Sequence, residues 1–454
     1  MRHQKLLLFV LATVMMTTGC KIGTNYRQPN VDLGKNYRFA SAMDSISFGD
    51  TSWRYVYQDP VLQNLIKKGI SNNFDLKMAY ERVNQARAAF KKARAEIWPV
   101  ISVSGAATFN QQALPSGGTV NFNDYYATGN LSWEIDIWGK LRRAKESARA
   151  ILLANEAFRQ SIYISLIAEI ASGYFNLLEY QDEYQITTFN VKIREEALEL
   201  VLAKLIAGTV SGLVVAQAEA ELAQVKTQIP AIQKAIGMQE NALQFLVGAL
   251  PGPVITGDSI LKQIPMGPIP TAGLPSRLIL RRPDIISAEQ ELISANAQIG
   301  VARGMMLPTL AISAGAGYSD LGAGFIGSAV GNLIAPIFGW GKLRQNVINA
   351  KSFKEEMLVN YQKTIYTGIT EVSNGLLSVE KQQSIVAENK NLVAAAQTAF
   401  DLSNQLFTAG YASYLDVINA QRLLYQAQIY LSQSELNRLL AYVNLYLALG
   451  GGWR

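Results

Sequence analysis

The sequence is poor in the residues that most enzyme chemistry needs. Among 454 residues there is one histidine, His3, and one cysteine, Cys20. Both lie within the first 20 positions, so the rest of the chain has neither. Ser-His-Asp and Cys-His nucleophilic sites are excluded there, as are His- or Cys-rich metal sites. A single cysteine forms no disulfide within one chain. Charge is sparse: 17% of residues are charged, and 41 Lys plus Arg against 35 Asp plus Glu give +6. Proline is missing from 139–207 and from 341–409, where glycine is also rare. Those stretches are rich in Ala, Leu, Gln, Glu and Lys, which favour helix. Each would run roughly 100 Å at the helical rise per residue.

The first residues read as an address. Arg2 and Lys5 precede an apolar run, Leu6 to Met16, closed by Thr17, Thr18, Gly19 and Cys20. A basic start, a short apolar stretch and a small-residue boundary make a secretory signal, too short to span a bilayer as a helix. The ending resembles a bacterial lipoprotein signal, with Thr17 where leucine is usual, which implies a lipid on Cys20. Lys21 follows in place of an acidic residue, which implies sorting to the outer membrane. Loss of 1–19 removes Arg2 and Lys5 and leaves +4, too little for a nucleic-acid partner.

What is present is written twice. GNLSWEIDIWGKLR at 129–142 returns as GNLIAPIFGWGKLR at 331–344, a shift of 202. The same shift matches Ala207, Gly208 and Leu213 to Ala409, Gly410 and Leu415. Upstream the shift is 209, matching Asp75, Ala79, Arg94 and Pro99 to Asp284, Ala288, Arg303 and Pro308. A period this long excludes a solenoid and indicates two halves of one ancestral design. Each half opens with an Ala-rich helical stretch, 60–97 and 281–306, ended by proline. Alternating segments follow: Ile101, Val103, Gly105, Ala107 and Phe109, then Leu131, Trp133, Ile135 and Ile137, each against a more polar face. Such alternation marks strands. The long helix and a returning helix (212–248; 413–447) complete each half, with Pro230 expected to kink the first return. The expected organisation is 1–19 signal, 20–59 extended segment, 60–248 first repeat, 249–280 proline-rich connector and 281–454 second repeat.

Residues 321–341 carry no charge for 21 positions, long enough for a membrane helix. Six glycines and Pro336 argue otherwise, and so do Asp124, Glu134 and Asp136 in the matching copy. Two-faced strands of this length fit a transmembrane β-barrel, with Trp133, Trp138, Trp340, Tyr125 and Tyr126 suited to its interfaces. Two strands per half give four per chain, which cannot close in lipid, so the chain must oligomerise. Dimer and trimer both satisfy that count.

The chain resembles the TolC-like outer-membrane efflux proteins over nearly its whole mature length. The resemblance rests on Trp53 with Asp59-Pro60, NFDL at 73–76, LRRPDI at 280–285, the doubled GWGKLR region and AGYASYLDVINAQ at 409–421. It implies a mainly α protein with a transmembrane β-barrel. A homotrimer would form a 12-stranded barrel continued by a long periplasmic α-helical tunnel. Each returning helix would stack on the first helix of the other half. A mixed belt would draw on 180–190, 249–280, 385–395 and the chain ends. The implied function is the exit duct of a tripartite efflux system, lipid-anchored in the outer membrane. Its partners would be a periplasmic membrane-fusion adaptor, an inner-membrane RND-type pump and outer-membrane lipid. No catalysis and no cofactor beyond the lipid on Cys20 are expected.

The resemblance also implies site residues. Family members close the periplasmic mouth with aspartates in a D-V-L-D-A pattern; here Asp416 matches the first and Asn419 replaces the second. Arginine four residues before that aspartate, found in some relatives, is Ala412 here. Gly208 and Gly410 mark tips suited to adaptor contact. From the alternation, Glu134 and Asp136 are candidates for the barrel lumen. The alternatives are the exit duct of a type I protein secretion system, which shares the fold, and a periplasmic coiled-coil adaptor lipoprotein, which would lack the strand pairs.

Overall fold

The computed structural model describes residues 21–34, 36–40, 47–113, 115–257, 271–319 and 324–451. The signal, Cys20 and connector positions 258–270 lie outside the described residues. The first half runs α1 (Pro60–Asn72), α2 (Phe74–Ala95), β1 (Val100–Ala113), β2 (Thr119–Ile135), α3 (Lys140–Ile206), α4 (Gly212–Lys226) and α5 (Gln228–Leu246). The second runs α6 (Pro283–Gly304), β3 (Thr309–Ser319), β4 (Gly324–Ile334), α7 (Lys342–Thr408) and α8 (Tyr414–Ala448). α3 and α7 are each 67 residues long. Proline-free, alanine-rich sequence explains their continuity.

The described residues divide into two compact units. The first holds residues through Val31, Glu81–Ala157 and Ile286–Lys363. Its centre is one antiparallel sheet in the order β1-β2-β3-β4. The uncharged stretch 321–341 supplies β4, a strand and not a membrane helix. The second unit holds Asp32–Tyr80, Phe158–Ile285 and Thr364 onward. Its main core joins Leu62 and Ile66 of α1, Ile170 and Leu177 of α3, Leu243 of α5 and Val443 of α8.

Two features differ from the expectations above, and the interruption expected from Pro230 is present. The stretch 60–97 is two helices, because Asn73 caps a new start: its Oδ1 accepts from Leu76 N at 3.0 Å. The first returning helix breaks at Thr227, three residues before Pro230. Pro230 has no amide to give the Lys226 carbonyl, so the ladder stops there and Pro230 sits in the first turn of α5. The end-to-end partners are also corrected. Asn73 Nδ2 donates to the Leu246 carbonyl at 2.9 Å, and Arg282 Nη1 to the Ala448 carbonyl at 3.1 Å. Each returning helix thus ends against the start of a helix of its own half, α2 in the first and α6 in the second. The orphan carbonyls of a helix terminus need donors, and these two side chains provide them.

Candidate functional site

The sheet has two chemically distinct faces. Register pairs Ile101 with Leu131, Ala127 with Tyr318 and Leu310 with Leu333, all on one face. The other face pairs Ser104 with Thr128 and Ser313 with Ser132. On it Ser104 Oγ and Thr128 Oγ1 lie 2.9 Å apart, and Asn130 Nδ2 donates to Ser104 Oγ at 2.8 Å. Ser319 Oγ donates to Asp124 there at 3.0 Å. The apolar face is exposed: Val103 is 82% accessible and Phe325 83%. Apolar side chains outward and a polar hydrogen-bonded ladder inward is the pattern of a barrel wall in lipid.

Glu134 lies near the end of β2 on the polar face and meets Lys140 at 2.5 Å. Asp136 falls one residue beyond the strand. Its two oxygens accept from the amides of Leu141 (3.0 Å) and Arg142 (2.9 Å). The carboxylate assigned to the lumen by alternation therefore caps α3, where a negative group suits the helix N-terminus.

At the same corner an N-terminal strap is clamped down. Arg143 is 1% exposed, although a buried cation at a helix start is doubly unfavourable. It is held by the Ile22 carbonyl (2.9 Å), the Gly23 carbonyl (2.8 Å), Asn25 Oδ1 (3.1 Å) and Glu146 (2.9 Å). The described strap begins at Lys21, the chain neighbour of Cys20.

In the second unit, both long helices end in a left-handed glycine, Gly208 (φ 73°) and Gly410 (φ 83°). Thr209 N donates to Lys204 O at 2.9 Å and Tyr411 N to Leu406 O at 2.8 Å, closing the same C-terminal motif at each tip. Large apolar side chains stand exposed beside them, Ile206 at 89% and Tyr411 at 84%. Asp416 is exposed in the first turn of α8 and closes a capping box with Ser413. Its Oδ2 accepts from Ser413 Oγ (2.7 Å) and Ser413 N (3.0 Å). These bonds, the hydroxyl's first, hold its carboxyl below the usual aspartate value. Asn419 is exposed one turn further along.

A family model described as outer membrane efflux protein matches residues 65–249 and 274–451. The chain belongs to the outer membrane efflux protein family. It is 32% identical over 471 residues to the solvent efflux pump outer membrane protein SrpC of Pseudomonas putida, covering 100% of this chain and 99% of that one. It is 28% identical to the probable outer membrane lipoprotein SilC of Salmonella typhimurium, with 99% of each covered. The open-state MtrE outer membrane channel of Neisseria gonorrhoeae superposes with a TM-score of 0.88 at 27% identity, over 96% of this chain and 99% of that one.

The structure of this efflux-family chain also shows a cluster that sequence reasoning missed. Glu221 of α4, 7% exposed, is gripped by Arg194 of α3 and Arg422 of α8. Arg194 also donates to the Glu221 carbonyl (2.8 Å) and to Asn190 Oδ1 (2.8 Å). Burial alone would raise the Glu221 carboxyl, but the hydrogen bonds from Arg422 and Arg194 outweigh it and hold it low. The only signal was an acid on the same helical face as Val215, Ala218 and Val225, which does not reveal partners 27 and 201 residues away.

Proposed function

We propose that three copies of this chain form the outer-membrane exit duct of a tripartite efflux system, conducting small molecules passively from an inner-membrane pump. The observation that carries the reading is the four-stranded sheet, apolar on one face, polar on the other and open at both edges. Four strands cannot close and open edges are not tolerated in lipid; three copies give about 12 strands, within the range of known barrels. SrpC and SilC, named for solvent efflux and as a lipoprotein, support efflux over protein secretion and an acylated Cys20. A water-filled lumen selects weakly, so substrate choice belongs to the pump. The exposed apolar residues beside Gly208 and Gly410 suit an adaptor's helical tips.

The periplasmic mouth is the control point in this reading. Asp416, with Asn419 one turn on, would line it and favour cations. The Glu221 cluster ties both helical hairpins of one copy together and resists their separation. Planar-bilayer conductance of wild type, Asp416→Ala and Glu221→Gln tests this. Small currents that grow in Glu221→Gln and lose cation preference in Asp416→Ala are expected. The absence of any pore, with monomers by native mass spectrometry, overturns the duct.

A further inference from the structure

The duplication supplies a template for a surface that one chain leaves unfilled. Both hairpins obey one rule. Shifting Val100↔Ser132 by 209 and 202 gives Thr309↔Ile334, and Ser104↔Thr128 gives Ser313↔Val330. Where the halves meet, β2 pairs with β3 through Asn130↔Gly315 and Leu131↔Ala314. The same shifts carry Asn130 and Leu131 onto Asn332 and Leu333 of β4, and Gly315 and Ala314 onto Ala106 and Gly105 of β1. Yet β4 and β1 are opposite edges of the sheet, and both are exposed along their length. Among the described residues, the fourth junction that the repeat encodes has no partner.

We propose that β4 of one copy pairs with β1 of a second copy in the register that β2–β3 displays. Asn332 then faces Ala106 of the partner subunit, and Leu333 faces Gly105 of the partner subunit. The inference rests on the trimeric barrel above and adds the register and the contacts that close it. Face parity supports it, because Leu333 and Gly105 are both on the apolar face and Asn332 and Ala106 both on the polar one. A one-residue slip would set apolar side chains against the lumen, so only slips of two compete. Space supports it as well: beside Gly105 the nearest atom to an added Cβ is the Tyr126 carbonyl at 3.5 Å.

The strand-to-helix corner gives a second contact. In the first half, Trp138 Nε1 donates to the Pro308 carbonyl at 2.8 Å, fixing β2's corner to the foot of β3. The counterparts are Trp340 and Pro99. Trp340 is 91% exposed, with φ at 50°, a costly backbone for a bulky residue. In the assembled wall its indole N–H donates to the carbonyl of Pro99 of the partner subunit. Pro336 replaces Glu134 and has no amide to pair, so the ladder ends before it and its register is read at 326–334.

Paired cysteines in the full-length protein, oxidised in membranes, test the register. Residues directly opposite lie about 5 Å apart, within disulfide reach, and two-residue slips fall outside it. Asn332→Cys with Ala106→Cys should give disulfide-linked dimers and trimers on a non-reducing gel. Asn332→Cys with Ser104→Cys or with Thr108→Cys should not. Linkage in a slipped pair, or in none while native mass spectrometry still shows trimers, overturns the register and leaves the barrel standing. Monomers throughout overturn the barrel reading itself. Trp340→Phe should lower the temperature at which trimers dissociate on a semi-native gel; an unchanged temperature removes the Trp340 contact.

Discussion

Asn73 and Arg282 stand at the same point of the two halves and do one job with unlike chemistry. Each donates to the last carbonyl of its half's returning helix, Leu246 or Ala448. Asn73 is neutral and uses its oxygen to cap α2. Arg282 adds a fork on Asp284 (3.0 and 2.6 Å) and a bond to Glu371 (2.5 Å). The halves have kept the backbone bond and let the side chain drift. The same divergence recurs elsewhere. Arg143 holds the strap at the first corner, where Gln345 is exposed at the second. A Cβ on Gly139 would come within 3.0 Å of Lys21, whereas Gly341 has nothing within 4 Å. Arg194 and Glu221 correspond to Ala396 and Leu423. The need for a hydrogen bond is what repeats, and charge enters where a half acquires an extra partner.

The sharpest break in the comparison is between the two junctions. Arg282→Ala strands a helix terminus and removes charge-assisted hydrogen bonds to two half-exposed acids, whose freed charges solvent screens, and should cost about 2–3 kcal/mol. Asn73→Ala loses a cap and one neutral bond and should cost about 1–2 kcal/mol. Urea unfolding of both variants checks the order, and equal losses would mean the extra charges contribute nothing. Arg143→Gln gives the first corner the second half's residue. It should cost about 2 kcal/mol through unsatisfied strap carbonyls, read as faster tryptic cleavage at Arg27.

Two buried glutamates of the first half sharpen the point about charge. Glu221 has two arginines and is held low. Glu179, 3% exposed, is pushed up to about 7 by burial, then by Glu183 and Asp182. The pH dependences therefore have opposite signs. Glu221 contributes stability above the unfolded glutamate value of about 4.3, which is lost as pH falls through its lower folded value. Glu179 opposes folding increasingly as pH rises from about 4.3 to about 7. Thermal unfolding between pH 4 and 8 should flatten in Glu179→Gln, and loss of stability in acid should weaken in Glu221→Gln.

The long helices were legible because their composition repeats over many turns: the stretches 139–207 and 341–409 fold as Lys140–Ile206 and Lys342–Thr408. The strands were legible by alternation. What joins distant segments was not. Asn73 reads as one more residue in a helical stretch until Leu246 lies beside it, and Asp136 continues an alternation that the chain abandons at Ile135. The Arg194–Glu221–Arg422 cluster depends on the relative register of three helices, which packing sets and periodicity does not encode. Gly208 and Gly410 were legible as glycines that end proline-free helical stretches, whereas the gate role of Asp416 and Asn419 came from family likeness alone.

The smallest expected effect separates two roles of Asp416. The first-half tip begins with Ser211 and has Val214 where α8 has Asp416, and Ser211 makes no side-chain cap. A helix can therefore start at this place without the capping box, so Asp416 is not required for folding. Asp416→Asn keeps an acceptor for Ser413 but removes the charge, whereas Asp416→Ala removes both. If the charge lines the mouth, both variants lose cation preference in planar bilayers while unfolding barely changes. If Asp416 is only a cap, Asp416→Asn conducts like wild type, and Asp416→Ala alone loosens the tip, seen as faster amide exchange at Tyr414–Val417.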